Sequence, residues 1–385
     1  MKQGWEIKKL GEIASFSQGI QVGLEHHLSE PKEGYVRFIR IVDYTQNTDD
    51  IRYIPNPGEK YFINEDDIVM VRYGAPGLIG RGKAGVIANN LFRIKIERKD
   101  LTNDYLTHFL SQEHIQNYLA TQGSATMPAL NFGQLKTIEV KFPPLPEQQR
   151  IVTILDHAFA AIDQAKANAE KNLKNAKELF ESYLQGVFEK KGEGWEEKTL
   201  GQLCGFMQGI QRDVKLQSET KDENQVRFLR IVDFTQGNEP PRFIDFPGEK
   251  YILNNENIAL VRYGASTGFV CRGLEGALAN NLFRIIPKHL EQLTNDFLFI
   301  YLNSPIFQNV IKTTMNGAAM PAISFGLIQK IPFPLPPIKQ QQSIVLQIDA
   351  LNEETMKLEA IYKKKIEDIE ELKKSILQKA FAGEL

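Results

Sequence analysis

Val36-Arg37-Phe38-Ile39-Arg40-Ile41-Val42-Asp43-Tyr44-Thr45-Gln46 returns 190 residues later as Val226-Arg227-Phe228-Leu229-Arg230-Ile231-Val232-Asp233-Phe234-Thr235-Gln236, with nine of the eleven positions identical. A repeat of this length means two copies of one folded unit, and so two similar sites. Working outward, Trp5, Leu10-Gly11 and Gln18-Gly19-Ile20-Gln21 match Trp195, Leu200-Gly201 and Gln208-Gly209-Ile210-Gln211. Val71-Arg72-Tyr73-Gly74-Ala75 matches Val261 to Ala265, and after a one-residue insertion Ala88 to Ile94 matches Ala279 to Ile285 at every position. The insertions fall in Gly-rich or charged stretches, where loops tolerate changes of length.

The 385 residues are 42% hydrophobic and 24% charged, an ordinary globular composition with room for two or three domains. No apolar run approaches the ~20 residues needed to span a bilayer. Met1 to Leu10 has no apolar signal core, so secretion is not expected, and with only two cysteines a reducing cytoplasm is the simplest reading. Cys204 and Cys271 face Ala14 and Gly80 in the other copy, so neither belongs to a shared metal site or fold requirement. The net charge of −2 argues against a strong sequence-independent grip on phosphates and confines any basic surface to local patches.

Within each copy the early part reads β: Val36–Val42, Asp67–Arg72 and Gly85–Ile96 have strand composition with turn residues between them. Thr102–Leu119 reads as one helix, capped by Thr102 or Asn103. Phe142-Pro143-Pro144-Leu145-Pro146 ends the unit. From Glu147 to Phe188 there is no Pro. Ile151, Leu155, Ala158, Ile162, Ala165, Ala169, Leu173, Ala176, Phe180, Tyr183 and Val187 form a heptad seam with one stutter. Ile344, Ile348, Leu351, Thr355, Leu358, Tyr362, Ile366, Ile369, Leu372 and Ile376 form a second. At ~1.5 Å per residue each rod is about 60 Å long. The expected architecture is α/β (α+β): duplicated globular domains at 1–146 and 191–337, separated by two long helices, 147–190 and 338–385, that pair as an antiparallel coiled coil with a pseudo-two-fold repeat. Separate oligomerisation helices are the alternative.

Catalytic motifs are missing. There is no phosphate-binding Gly-x-x-x-x-Gly-Lys-[Ser/Thr], no Gly-x-Ser-x-Gly, no His-Glu-x-x-His and no amino-methyltransferase Pro-Pro-Tyr tetrad. His26-His27 becomes Leu216-Gln217 in the second copy, and Asp67 becomes Asn257, so neither a metal pair nor a carboxylate pair is shared. The repeated polar residues are the binding candidates: Gln18, Gln21, Arg37, Arg40, Arg72, Tyr73 and Arg81, with Gln208, Gln211, Arg227, Arg230, Arg262, Tyr263 and Arg272 opposite them. Arg can read guanine, Gln and Asn adenine, and an aromatic beside Arg can stack. Ser124 and Thr126 suit phosphate. Asn89-Asn90 suits either a base contact or the satisfaction of backbone groups, and Arg40 with Asp43 suits either ligand binding or a structural ion pair.

Pro143-Pro144-Leu145-Pro146-Glu147-Gln148-Gln149-Arg150-Ile151 resembles the Pro-Pro-Leu-x-Glu-Gln-x-x-Ile signature of type I restriction-modification specificity (S) subunits. Pro336-Pro337-Ile338-Lys339-Gln340-Gln341-Gln342-Ser343-Ile344 is a looser copy with Gln340 in place of the Glu. The ending Leu377 to Leu385 and the paired openings at Trp5 and Trp195 are similar to the same family, so the resemblance covers the whole chain. It implies a non-catalytic subunit whose globules are target-recognition domains reading the halves of a split sequence in double-stranded DNA. The helices would set the spacer and dock two methyltransferase (M) subunits, with Glu147, Gln148, Gln149, Gln340 and Gln341 at the helix starts as partner-binding candidates. S-adenosylmethionine, ATP and Mg would then belong to the M subunits and to restriction (R) subunits, with no cofactor on this chain. Because the two copies are close relatives, the half-sites are expected to be near-palindromic. The rivals are the specificity subunit of a fused methylase-nuclease system and a two-headed scaffold that binds no DNA.

Overall fold

The computed structural model describes residues 4–46, 49–121, 129–315 and 322–385. The first copy runs β1 (Glu6–Lys9), α1 (Leu10–Ile13), β2 (Ala14–Gln18), β3 (Tyr35–Ile39), α2 (Val42–Thr45), β4 (Arg52–Pro55), β5 (Phe62–Ile63), β6 (Ile68–Val71), β7 (Ile79–Gly80), β8 (Gly85–Ile87), β9 (Leu91–Ile96), α3 (Asn103–Leu110), α4 (Glu113–Thr121), α5 (Phe132–Lys136), β10 (Glu139–Phe142) and α6 (Leu145–Glu189). The second copy repeats this order: β11 (Glu196–Thr199), α7 (Leu200–Leu203), β12 (Cys204–Gln208), β13 (Gln225–Leu229), α8 (Ile231–Thr235), β14 (Arg242–Asp245), β15 (Ile252–Leu253), β16 (Ile258–Val261), β17 (Val270–Cys271), β18 (Gly276–Leu278), β19 (Leu282–Pro287), α9 (Asn295–Asn303), α10 (Pro305–Met315), α11 (Phe325–Ile328), β20 (Pro332–Leu335) and α12 (Ile338–Ala382).

Each copy holds two four-stranded sheets and a two-stranded ribbon. In the first the orders are β2-β9-β6-β7, β4-β3-β8-β5 and β1-β10; in the second they are β12-β19-β16-β17, β14-β13-β18-β15 and β11-β20. All pairings are antiparallel except β3 with β8 and β13 with β18. β6 is buried on both faces, which its sequence Ile-Val-Met-Val permits. Its alternate side chains serve two cores. Ile68 and Met70 face the helices beside Tyr105, Phe109 and Leu110, whereas Val69 and Val71 meet Ile39, Ile63 and Ile87. β16 divides Ile258 and Leu260 from Ala259 and Val261 in the same way.

The chain divides into two compact units, Met1–Ala169 with Lys364–Leu385, and Glu170–Lys363. Each unit therefore contains a head, the first half of the long helix that follows it and the last half of the other long helix. In the first unit Ile151 and Leu155 of α6 share a core with Leu377, Ala380 and Phe381 of α12. Asp163–Lys373 at 2.7 Å and Lys166–Glu370 at 2.5 Å show that the two segments run antiparallel. In the second unit Leu184 and Phe188 of α6 share a core with Ile348 of α12, and Tyr183 Oη donates to Gln347 at 3.0 Å.

Several local expectations are corrected. The strand expected over Val36–Val42 stops at Ile39, because the Arg40 N–H donates to Asp43 Oδ2 at 2.8 Å and opens α2. Gly85–Ile96 is two strands in different sheets, β8 and β9, with a turn at Ala88-Asn89-Asn90. The helix expected over Thr102–Leu119 is two. Gln112 is buried at the break, and its Nε2 donates to the Phe109 carbonyl at 3.0 Å. Thr102 is the cap of α3, accepting from the Tyr105 N–H at 3.2 Å. The seams also turn at their ends. Leu184 and Phe188 replace Tyr183 and Val187 as buried positions, and Leu377 and Phe381 do so in α12, where Leu372 is exposed. There the helices pack on a head as well as on each other, so the buried face widens beyond a heptad stripe. Leu358 is likewise exposed, off the seam. Cys204 and Cys271 are free and buried; burial pushes both thiols up to about 12, so they stay neutral packing groups.

The Gln of each proline-rich signature is fully buried. Gln148 Nε2 donates to the Asp100 carbonyl at 2.7 Å and the Pro143 carbonyl at 2.8 Å, and its Oε1 accepts from the Thr102 N–H at 3.0 Å. Gln341 repeats this with Gln292, Pro336 and Thr294 at 2.7, 2.9 and 3.0 Å. Gln149 is exposed, Glu147 forms a two-pronged pair with Arg150 at 2.8 and 2.9 Å, and Gln340 Oε1 accepts from Trp195 Nε1 at 2.8 Å.

Gln148→Ala strands three buried backbone groups at ~1–3 kcal/mol each and should cost about 3 kcal/mol or more in denaturant unfolding. Gln149→Ala should stay within ~0.5 kcal/mol. Phe381 sits edge-on to Tyr105 and Phe109, with ring centroids 5.2 and 5.3 Å away. Phe381→Ala should cost about 3–5 kcal/mol. Hydrogen exchange should show the loss in α3 and β6, while β16 and β19 keep their protection.

Candidate functional site

The turn between β8 and β9 organises the repeated polar residues of the first head. Gly19 lies so close beneath it that a Cβ there would sit 2.1 Å from the Ile87 carbonyl oxygen and 2.3 Å from that of Ala88. Only glycine fits this approach. It lets Gly19 N–H donate to the Leu91 carbonyl at 3.1 Å and Ile20 N–H to the Ile87 carbonyl at 3.0 Å. Gln18 and Gln21 thereby flank Asn89. Gln18 Nε2 donates to the Asn89 carbonyl at 2.9 Å, Asn89 Nδ2 donates to Gln21 Oε1 at 3.2 Å, and Tyr73 Oη donates to Asn89 Oδ1 at 3.0 Å. The side-chain amide of Asn89 is the hub.

The second head builds the same relay. Gln208 Nε2 donates to the Asn280 carbonyl at 3.1 Å, Asn280 Nδ2 to Gln211 Oε1 at 3.1 Å, and Tyr263 Oη to Asn280 Oδ1 at 3.3 Å. Gly209 makes the same close approach, with a Cβ 2.2 Å from the Ala279 carbonyl oxygen. In both heads the neighbouring asparagine, Asn90 or Asn281, has a buried Oδ1 with no partner among the described residues. In the first head Gln21, Tyr73, Asn89 and Asn90 line an open cavity of about 310 Å³ with Val22, Arg40 and apolar neighbours such as Ile20, Phe38 and Ile41.

The candidate arginines are mostly engaged inside the protein. Arg40 binds Asp43 at 3.3 Å and Asp50 at 3.2 Å, and Arg230 binds Asp233 at 3.0 Å and Glu239 at 3.1 Å. Arg40 lies past the end of β3, so it does not alternate with Arg37 across the sheet as an unbroken strand would require. Arg37 has no polar partner among the described residues, whereas Arg227 reaches Asp233 at 3.2 Å. Arg72 Nε donates to the Leu130 carbonyl at 3.3 Å and its guanidinium lies 6.0 Å from the Tyr73 ring centre and 5.9 Å from that of Phe92. Arg262 donates likewise to Ile323 at 3.2 Å. Arg81 pairs with Asp104, and Arg272 with Asp296 at 2.7 Å, away from the relay on the α3 and α9 side. Ser124 and Thr126 lie outside the described residues. The structure thus joins Gln18, Gln21, Arg40 and Tyr73 around Asn89, and it adds Val22, which was not a candidate.

No cluster of three or more His, Cys, Asp or Glu able to hold a metal occurs among the described residues. No described helix is long and apolar enough to cross a membrane. The site is a polar, hydrogen-bonding surface of partly exposed amides beside an arginine held by two carboxylates, a chemistry suited to reading another molecule's donors and acceptors.

The profile of the family described as "Type I restriction modification DNA specificity domain" matches residues 2–174 and again 192–370. Over its whole length the chain is 24% identical to the type I restriction enzyme MjaVIII specificity subunit of Methanocaldococcus jannaschii, covering 93% of that protein. It is 23% identical to the EcoKI specificity subunit of Escherichia coli, covering 90% of it. Among solved structures, a chain from a study of complex assembly and conformational transition of the type I R-M system superposes with a TM-score of 0.81 at 20% identity, covering all of this chain and 99% of that one. The HsdS subunit of Thermoanaerobacter tengcongensis gives 0.60 at 20% identity, covering 100% and 98%. With two copies of the family domain and full-length relatives, the chain belongs to the type I restriction-modification DNA specificity subunits, which are not themselves catalytic.

Proposed function

We propose that each head of this specificity subunit reads one half of a split, near-palindromic DNA target, and that the paired helices set the unread spacer and dock two methyltransferase subunits. The observation that carries the reading is the duplicated relay. Gln18, Gln21, Tyr73 and Asn89 meet their exact-type counterparts Gln208, Gln211, Tyr263 and Asn280 at the same bonds within 0.3 Å. Two like sites read like half-sites, and side-chain amides of this kind pair with adenine edges. The long helices, 45 residues each, are ~67 Å at 1.5 Å per residue, a length suited to a spacer.

The catalytic work falls to partners. S-adenosylmethionine for adenine methylation belongs to the M subunits, and ATP and Mg to restriction subunits where these are present. This chain needs no cofactor of its own, and the complex works on DNA in the cytoplasm. A partner also resolves the charge problem, because 46 basic against 48 acidic side chains leave little net attraction for phosphate. Glu147 and Gln149 stand at the surface of the first helix start and are its partner-facing groups, while Gln148 and Gln341 serve from beneath by fixing the helix on its head.

Methylation-sensitive long-read sequencing of DNA from cells that co-express the chain with its methyltransferase should reveal a split motif absent without the chain. Its two arms should be similar and inverted. Two unrelated arms would refute the near-palindrome. One heptad inserted into each long helix lengthens the pair by ~10 Å, so the spacer should grow by about three base pairs. Retained methylation at the original spacing would refute the helix ruler.

A further inference from the structure

The two heads act as controls for each other, and at one cavity-lining position they disagree. The cavity beside the relay is lined by Gln21, Val22, Arg40, Tyr73, Asn89 and Asn90, together with apolar neighbours. In the second head every one of these side chains recurs as the same residue type except Val22, which becomes Arg212. The backbone at that position is held alike. His27 Nε2 lies 3.3 Å from the Val22 carbonyl oxygen, and Gln217 Nε2 donates to the Arg212 carbonyl at 3.1 Å. Ile20 and Ile210, two residues earlier, bridge Ala88 and Ala279 in the same sense. The change is therefore one of side chain on a fixed frame.

Arg212 is also chemically unusual in this chain. Of the fifteen arginine side chains, thirteen have a carboxylate or carbonyl partner, and the guanidinium groups of Arg37 and Arg212 have no hydrogen bond or ion pair among the described residues. The Arg212 Nε is buried without a partner while the residue as a whole is half-buried. By the repeat it stands at the position where Val22 packs against the cluster of Phe38, Ile54, Val86 and Ala88, and its guanidinium, without a partner among the described residues, is left to meet something outside the head. Arg37 does not distinguish the heads in this way, because Arg227 repeats it. It also alternates with Phe38 on β3, so it points away from the side on which Val22 packs.

We infer that Arg212 is a specificity-determining residue: it reads a guanine in the second half-site, at the position where Val22 offers the first half-site only an apolar contact. A free guanidinium fork matches guanine O6 and N7, whereas an aliphatic group suits a thymine methyl. The otherwise near-palindromic target is then asymmetric at this base pair. The inference rests on the half-site reading proposed above.

The test uses the full chain with its methyltransferase subunit, in wild-type form and as Arg212→Val, Arg212→Lys and Val22→Arg. Arg212→Val folds on the frame that already carries valine in the first head, and complex assembly and thermal midpoint are checked before the DNA is read. In the wild-type motif one arm should require guanine where the other does not. Arg212→Val should relax that single position by about tenfold or more in relative methylation, leaving the rest of the arm intact. Arg212→Lys keeps the charge without the fork and should relax it too, and Val22→Arg should introduce a guanine requirement at the equivalent position of the other arm. A uniform loss across all sequences in Arg212→Val, with an unchanged motif, would mark Arg212 as a phosphate contact and overturn the inference. An unchanged motif at unchanged level would overturn it as well. Absence of any chain-dependent motif in the assembled wild-type complex would instead overturn the half-site reading beneath it.

Discussion

A side-chain amide with no access to water holds each head to its long helix. Gln148 uses both of its N–H groups and its oxygen on backbone atoms from two segments, the loop before α3 and the proline turn before α6. Thr102, whose N–H it accepts, is itself the cap of α3, so a single amide sets the start of both helices. A buried amide is favourable only when all its donors and acceptors are matched, which leaves one geometry and excludes neighbouring ones. Gln341 imposes the same geometry in the second copy through Thr294. The direction in which the helix leaves its head follows from these bonds rather than from the prolines alone.

The heads are not self-contained. Leu377, Ala380 and Phe381 arrive from the far end of the sequence to finish the core around Tyr105 and Phe109, and Leu184 and Phe188 do the same for Phe297 and Tyr301. Around this shared frame the copies exchange small compensating pairs. Trp5 lies under the Lys141 ammonium, 4.7 Å from its ring, whereas Trp195 donates to Gln340. Tyr44 lies against Gly80, where a Cβ would be 2.5 Å from its ring, whereas Phe234 packs with Cys271. Such swaps keep volume and contact while sequence drifts.

The duplication, the β character of each head and both long helices were legible in the sequence, because repeats and heptad spacing are local signals. What escaped depended on distant partners. The break at Gln112 is set by a side chain turning back on the Phe109 carbonyl within a continuous helical pattern. The split of Gly85–Ile96 into two sheets follows from the close pass of Gly19 beneath Ala88, a contact between residues far apart in sequence. At the site, the type of each candidate was visible but its engagement was not. The pairing of Arg40 with Asp43 was one of the readings the sequence offered, but its second carboxylate, Asp50, and the carbonyl that holds Arg72 were not. The role of Asn89 as hub required Tyr73, Gln18 and Gln21 to be placed around it.

Internal pairing of the arginines also bears on how a neutral chain can select a sequence. An arginine already matched to Asp or Glu gives little net attraction to phosphate, so under the proposed reading the heads would hold non-specific DNA weakly. Specificity is a difference between affinities, and lowering the shared electrostatic part leaves more of the total to base edges. The paired arginines still have a function in that scheme. Asp43 both opens α2 and anchors Arg40 beside the relay, so if Arg40 is a reader its guanidinium would need little ordering on binding. Under the proposed reading, weak general attraction with preorganised readers would favour discrimination over retention, and the burden of holding the duplex would fall on the partner subunits.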